Sequence, residues 1–245
     1  SKATERRENI DPATLAEGAE VLTSLYKEAG EAEKPLRKFS NSSMSKQDKR
    51  KRALALVDAG TNLKVNKGQV TEGLNCYKRA LALDPTCACA HYNLGVVHGE
   101  QHNYQKALKY FKAAVKFSPS NVQALSNIGV IYMTQGKLKM AVMTFKKVLD
   151  IDSGFFFAKS RLATLLTDIG TQCKEKGHIK QGIKLYKEAL FYKHNFSEAY
   201  YNMGVAYTEL HKYQRAIHMY SLTIQFDPGH IKAYNNLGVL YNNAR

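Results

Sequence analysis

The chain has no tryptophan, only five prolines in 245 residues, four cysteines without a paired C-x-x-C spacing, and no apolar run near the length of a membrane span. Each shortage closes off a class of protein. A bilayer-crossing helix needs roughly 20 predominantly apolar residues, and the N-terminus carries charges where a signal peptide would have an apolar core, so a soluble, non-secreted chain is expected. Cys76, Cys87, Cys89 and Cys173 lack the spacing of a zinc site and are expected to be reduced, buried thiols. No phosphate-binding glycine loop, dinucleotide fingerprint or G-x-S-x-G elbow occurs. His98 and His102 stand at i and i+4, but Glu100 is displaced from the H-E-x-x-H order and no third ligand is evident. No catalytic residues, no metal and no bound cofactor are therefore expected in this chain.

What the chain does have is a repeated pattern. In residues 197–228, SEAYYNMGVAYTELHKYQRAIHMYSLTIQFDP, counting Ser197 as position 1 puts Tyr200, Met203, Gly204 and Tyr207 at positions 4, 7, 8 and 11, Ala216 and Tyr220 at 20 and 24, and Pro228 at 32. This is the tetratricopeptide pattern of a 34-residue helix-turn-helix repeat, with Tyr in place of the usual Trp. Position 8 recurs as Gly60, Gly95, Gly129, Gly170, Gly204 and Gly238, and position 24 as Tyr77, Phe111, Phe145, Tyr186 and Tyr220. Small residues at 8 and 20 let two helices approach closely while positions 4, 7, 11 and 24 fill the space between them. His98, at position 11, is therefore expected to pack in the core, and Phe155-Phe156-Phe157 are expected to form a core plug between repeats. An all-α, right-handed tetratricopeptide superhelix (an α-solenoid) is expected over residues 45–245, with five complete repeats and the start of a sixth.

The glycine separations are 35, 34, 41, 34 and 34. The 41 reflects seven residues, 156–162, inserted before the fourth repeat, close to two helical turns, so the buried face keeps its phase. Extended first helices are predicted at 46–66 and 155–174. Aligning these two places exposes a longer period. Leu56-Val57-Asp58-Ala59-Gly60-Thr61 matches Leu166-Thr167-Asp168-Ile169-Gly170-Thr171, and Tyr92-Asn93-Leu94-Gly95-Val96 matches Tyr201-Asn202-Met203-Gly204-Val205. Three repeats form a block of about 109 residues that occurs twice.

Residues 1–44 are a polar segment in which Asp11-Pro12 starts one predicted helix, 12–29, striped by Leu15, Ala19, Leu22, Tyr26 and Ala29. Ser45 with Asp48 caps the next helix. The lack of an initiating Met, and an end in mid-repeat at Arg245, lead us to expect a piece of a longer protein. The formal charge is +15, and residues 1–52 carry 12 Lys/Arg against 9 Asp/Glu, leaving 24 against 12 for the repeats. Many of these cations fall on second helices, as with Lys106, Lys109, Lys112 and Lys116, whose spacing makes a solvated outer face. Aromatics occupy core positions and are not interleaved with these stripes, so nucleic acid is not an expected partner.

Position 6 lies about 200° around the helix from position 4 and points away from the buried seam. Its occupants are Asp58, Asn93, Asn127, Asp168, Asn202 and Asn236. In this kind of array the first helices line the concave surface, so these six are expected to form a polar ladder. An Asn amide offers an acceptor and two donors, which matches the N–H and C=O of an extended peptide. Selectivity for side chains would come from neighbours such as Tyr201 and Glu209, or from the acceptor-only Asp58 and Asp168.

The N-x-G-V-x-Y first helices (Asn127, Gly129, Val130, Tyr132; Asn236, Gly238, Val239, Tyr241), the L-T-D-x-G-T start at Leu166, the seven-residue insertion and the Y-K-E-A-L run at Tyr186 resemble the repeat region of the SPINDLY family. These are nucleocytoplasmic protein O-glycosyltransferases related to the O-GlcNAc transferases. The resemblance implies repeats placed before a C-terminal domain, not contained in this chain, that transfers a sugar from GDP-fucose or UDP-GlcNAc to Ser/Thr of nuclear and cytoplasmic proteins. It also implies that the position-6 asparagines Asn93, Asn127, Asn202 and Asn236 contact substrate peptides. The partners expected are extended polypeptide segments of protein substrates and a second copy of the chain, as a homodimer through the repeats.

Overall fold

The computed structural model describes residues 44–243. The predicted helix at 12–29 lies outside the described residues. Within them there are eleven α-helices and no strand: α1 Lys46–Lys67, α2 Val70–Leu83, α3 Ala88–Glu100, α4 Tyr104–Phe117, α5 Val122–Thr134, α6 Leu138–Ile151, α7 Phe156–Glu175, α8 Ile179–Tyr192, α9 Ser197–Glu209, α10 Tyr213–Phe226 and α11 Ile231–Asn243. Odd-numbered helices are the first helices of their repeats and even-numbered ones the second. The chain is an all-α tetratricopeptide solenoid, as the periodicity predicts. It falls into two compact units that part inside α5, between Ala124 and Leu125.

Local chemistry sets the helix ends. Ser45 Oγ accepts from the Asp48 backbone N–H at 3.1 Å and donates to the Asp48 carboxylate, so the Ser-x-x-Asp pattern caps α1. Arg50, in the basic run that follows, reaches Asp84 at 3.6 Å. α1 and α7 span 22 and 20 residues, against 13 for α3, α5, α9 and α11. The two predicted extensions are therefore continuous with their first helices. The extra residue of the first repeat is absorbed in the last turn of α1, where Gly68 adopts φ 67 and the Gln69 N–H donates to the Leu63 carbonyl at 2.9 Å, a left-handed helix ending that glycine allows without strain.

The seam between the paired helices explains the position-8 glycines. A Cβ built on Gly60 would lie 2.9 Å from the Tyr77 ring, on Gly129 2.8 Å from Phe145, and on Gly204 2.5 Å from Tyr220. Only the absence of a side chain admits the aromatic ring. In the first unit the core gathers Ala53, Leu56, Val57, Tyr77, Ala80, Ala90, Leu94 and Val97. In the second a corresponding core holds Ile183, Tyr186, Met203, Tyr207, Ala216 and Tyr220. Burying each large side chain contributes about 1.5–3 kcal/mol. Lys106, Lys109, Lys112 and Lys116 are all exposed along α4.

Three expectations are corrected. Cys76 and Cys87 are buried, and burial pushes both thiols up from their ordinary pKa, but Cys89, at position 2 and off the seam, is exposed, and Cys173, although at position 11, is only half-buried. Phe155, Phe156 and Phe157 do not act together as a core plug. Phe157 turns an edge to Phe145 at 6.4 Å, whereas Phe156 is 73% exposed, since neighbouring residues of a helix point about 100° apart. His98 is half-buried, lying parallel to the Tyr110 ring at 5.4 Å, and burial with nearby Lys106 and Lys78 lowers its pKa.

Candidate functional site

Each position-6 residue sits on a first helix, two residues before its seam glycine. In the first unit Asp58 on α1 is exposed and Asn93 on α3 is half-buried. Beside them Lys64 Nζ reaches Glu100 Oε1 at 2.8 Å. In the second unit the position-6 residues are Asn127 on α5, Asp168 on α7, Asn202 on α9 and Asn236 on α11. Asp168 is exposed and the three asparagines are half-buried.

The second unit ties three of its four position-6 residues into one connected group. Partial burial, and then the charge of Glu198, raise the pKa of Asp168. Asn202 Nδ2 lies 3.5 Å from Glu198 Oε1, and Glu198 Oε2 lies 3.9 Å from His230 Nε2. The His230 ring packs 4.6 Å from that of Tyr201. Asn236 Nδ2 then donates to the Tyr220 hydroxyl at 3.2 Å and lies 3.5 Å from the Tyr201 hydroxyl. His230 also accepts the Ala233 N–H on Nδ1 at 3.2 Å, which assigns the ring hydrogen of the neutral form to Nε2, facing Glu198.

Two of these residues, Glu198 and His230, were not among the sequence-derived candidates. The signal for Glu198 is its position: it precedes Asn202 by four residues on α9, one helical turn. His230 lies outside the repeat's marked positions, and only its capping of α11 brings it to the face. Glu209, expected as a selectivity residue, is instead bound to Lys174 at 2.8 Å. Asn127 makes no side-chain hydrogen bond among the described residues. Asn236 has its amide donors on tyrosine hydroxyls, which leaves mainly its carbonyl oxygen for a ligand.

A recess of about 250 Å³ adjoins Asn236, lined by Val205, Thr208, Glu209, Tyr220, Val239 and Leu240. That volume is below the roughly 300–1,000 Å³ of small-molecule pockets. It fits one amino-acid side chain, and its lining mixes apolar Val205, Val239 and Leu240 with polar Thr208, Glu209 and Asn236. Among the described residues no cluster of His, Cys, Asp and Glu has the makings of a metal site, and no helix is long and apolar enough to cross a membrane. The face can offer hydrogen bonds, one carboxylate pair and a shallow side-chain recess.

Comparison with known proteins places these features in a family. Models described as TPR repeat and tetratricopeptide repeat match residues 62–102, 88–121, 122–155 and 197–230, together more than half of the chain. Among curated proteins, the "Probable UDP-N-acetylglucosamine--peptide N-acetylglucosaminyltransferase SPINDLY" of Oryza sativa subsp. japonica is 44% identical over 55 residues. The protein of the same description from Arabidopsis thaliana is 45% identical over 56 residues. These alignments cover 22% and 23% of this chain and 6% of each relative, so the chain matches only a small part of the length of those proteins. Among solved structures, YrrB, described as a TPR protein with an unusual peptide-binding site, superposes with a TM-score of 0.56 at 19% identity, over 78% of this chain and 97% of its own. MamA superposes with a TM-score of 0.51 at 18% identity, over 69% of this chain and 95% of its own. Likeness at that identity carries the fold alone. With its seam glycines, its paired helices and these matches, the chain belongs to the tetratricopeptide repeat family.

Proposed function

We propose that the first-helix face binds extended polypeptide segments, and that the chain is the substrate-recruiting repeat region of a SPINDLY-like nucleocytoplasmic protein O-glycosyltransferase. The observation that carries the binding role is the recess sized for one side chain beside Asn236 on α11, with the half-buried Asn202 on the preceding first helix, α9. The amides would bond the peptide backbone and the recess would hold a side chain. Each amide bond contributes about 0.5–1.5 kcal/mol net, so several are needed for useful affinity and the backbone is held with little regard to sequence. The 44% identity to SPINDLY over 55 residues supports the transferase context. In that reading the sugar donor, GDP-fucose or UDP-GlcNAc, belongs to a domain outside this chain, and the protein works in cytoplasm and nucleus.

The test uses Ser/Thr-containing 15-residue peptides on an array, with a photoreactive amino acid introduced at Asn202. Crosslinks should form from this position, and the combined variant Asn93→Ala, Asn127→Ala, Asn202→Ala and Asn236→Ala should lose at least ten-fold in peptide binding, since 1.4 kcal/mol is one factor of ten. Binding that ignores all four substitutions would remove the ladder as the site. In the full-length protein, the same variant should raise KM for a protein substrate and leave transfer to a short acceptor peptide unchanged. Absence of transfer from either donor would favour an adaptor without catalytic activity.

A further inference from the structure

Second helices end in one backbone shape. It is taken by Asp84 after α2 (φ −132, ψ 95), Asp152 after α6 (φ −132, ψ 92), Asp227 after α10 (φ −139, ψ 87), Lys193 after α8 (φ −141, ψ 87) and Ser118 after α4 (φ −138, ψ 86). Each of the three Asp carboxylates accepts the backbone N–H two residues on: from Thr86 at 3.0 Å, from Gly154 at 2.9 Å and from Gly229 at 3.2 Å. Ser118 Oγ makes no hydrogen bond among the described residues, so the Ser120 N–H lacks the acceptor that its counterparts have. The turn after α4 thus offers a hydroxyl where three others carry an anion.

Pro119 follows this serine. Pro12, Pro35, Pro85 and Pro228 follow Asp11, Lys34, Asp84 and Asp227, so Ser118-Pro119 is the single Ser/Thr-Pro step in the chain. Proline has no N–H and a fixed φ, so an apolar enzyme groove with no acceptor for the residue after serine selects this step over every other. The step is also presented: Lys116, Phe117, Pro119 and Ser120 are exposed, Ser118 is half-buried, and its backbone has left the helix, as a residue before proline is driven to do. We propose that Ser118 is phosphorylated by a proline-directed protein kinase, and that the phosphate takes the place held by Asp at the other turns. Ser118 Oγ attacks the γ-phosphorus of ATP; the Oγ–P bond forms as the bond to the β-phosphate oxygen breaks, ADP leaves with that electron pair, and the hydroxyl proton passes to the kinase's base. The negative pole of α4 opposes an anion here, but Asp stands at the same pole of α2, α6 and α10. Cations favour the phosphate further. Phe117 walls a recess of about 430 Å³ whose lining sets Lys46, Lys49 and Arg50 against one carboxylate, Asp84. A phosphoserine reaches about one bond further than an Asp, which brings its charge to these lysines as charge-assisted partners. The basic start of α1 would then be tied to the turn after α4.

The test incubates the folded chain with a proline-directed Ser/Thr kinase and ATP and maps phosphate by peptide mass. Ser118 should be labelled, Ser118→Ala should take no phosphate at this step, and Pro119→Ala should slow labelling of Ser118 at least ten-fold. A synthetic peptide of residues 112–124 verifies that the kinase is active. Labelling of the peptide without labelling of Ser118 in the folded chain would overturn the proposal, as would labelling indifferent to Pro119→Ala. Nuclear magnetic resonance of the labelled chain then reads where the phosphate sits. The Ser120 amide proton should move downfield as the phosphate accepts it. A solvated phosphoserine has a second pKa of about 6; beside Lys46 and Lys49 its phosphorus signal should titrate lower, and the double variant Lys46→Gln, Lys49→Gln should bring it back up. A Ser120 amide that does not move would overturn the capping role, and a titration indifferent to both lysines would overturn their part in holding the phosphate.

Discussion

In α1 to α4, Lys64 reaches Glu100 at 2.8 Å, Thr61 Oγ1 meets the Tyr77 hydroxyl at 3.2 Å, and His102, at φ 56, holds the Tyr104 hydroxyl at 3.0 Å. In α7 to α10, Lys174 reaches Glu209 at 2.8 Å, Thr171 Oγ1 meets the Tyr186 hydroxyl at 3.2 Å, and His211, at φ 55, holds the Tyr213 hydroxyl at 2.9 Å. A Cβ on Gly73 would stand 2.7 Å from the Gly60 carbonyl, and one on Gly182 would stand 2.7 Å from the Gly170 carbonyl. The duplication seen as a sequence period is thus a duplicated set of contacts within and between successive repeats. The copies part company on the ladder face. Position 2 of the second repeat is Cys89 in one and Glu198 in the other, so only the later copy sets a second carboxylate beside its position-6 Asp. The scaffold is repeated and the surface it presents is not.

Breaking the shared scaffold should cost the same in both copies. Tyr77 and Tyr186 are each about 1% exposed or less and fill the space above Gly60 and Gly170. Tyr77→Ala and Tyr186→Ala should each destabilise their unit by about 3–5 kcal/mol, the usual cost of emptying a buried aromatic site. Urea denaturation followed by circular dichroism would measure both. A large cost in one and a small cost in the other would mean that the two sites are not equivalent. The inter-repeat ion pairs sit lower on the scale. Both lysines are about 15% exposed, but their glutamates are 55% and 39% exposed. Lys64→Met and Lys174→Met keep the packed stem and should each cost about 0.2–1 kcal/mol, with the difference fading in high salt.

The equivalence itself was legible in the sequence because it rests on backbone spacing. Glycines at position 8, rings at position 24 and the seven-residue insertion are steric requirements that a periodic pattern displays directly. The ladder was legible as a set of positions and not as a set of partners. Asn236 was expected to face a ligand, yet its amide lies against the hydroxyls of Tyr201 and Tyr220, one from the repeat before it on α9 and one from α10. Those contacts join residues 35 and 16 apart, a distance at which helical periodicity gives no information on side-chain direction. Glu209 was misread for the same reason, since its partner Lys174 belongs to the preceding repeat. Phe156 shows the converse: its hydrophobicity suggested a core, but its place beside two other phenylalanines on one helix turn forced it outward.

The smallest expected effect probes a place where the copies differ. Asp168 is held above the ordinary carboxylate pKa, first by partial burial and then by Glu198. A carboxyl whose folded pKa exceeds its unfolded value binds protons more readily in the folded state. Its ionised form therefore weakens the fold at neutral pH, and the penalty is relieved as pH falls through the raised pKa. Asp168→Asn should accordingly stabilise the second unit modestly at pH 7, and the gain should shrink as pH falls through the raised pKa toward the unfolded value. Glu198→Gln removes one of the two causes, so in that background the benefit of Asp168→Asn should be smaller at pH 7. Urea midpoints for the four proteins at pH 7 and at pH 4 form a double-mutant cycle that isolates the carboxylate pair. A gain from Asp168→Asn that is identical with and without Glu198 would assign the raised pKa to burial alone. The contrast between Glu198 and Cys89 would then carry no electrostatic consequence for the ladder.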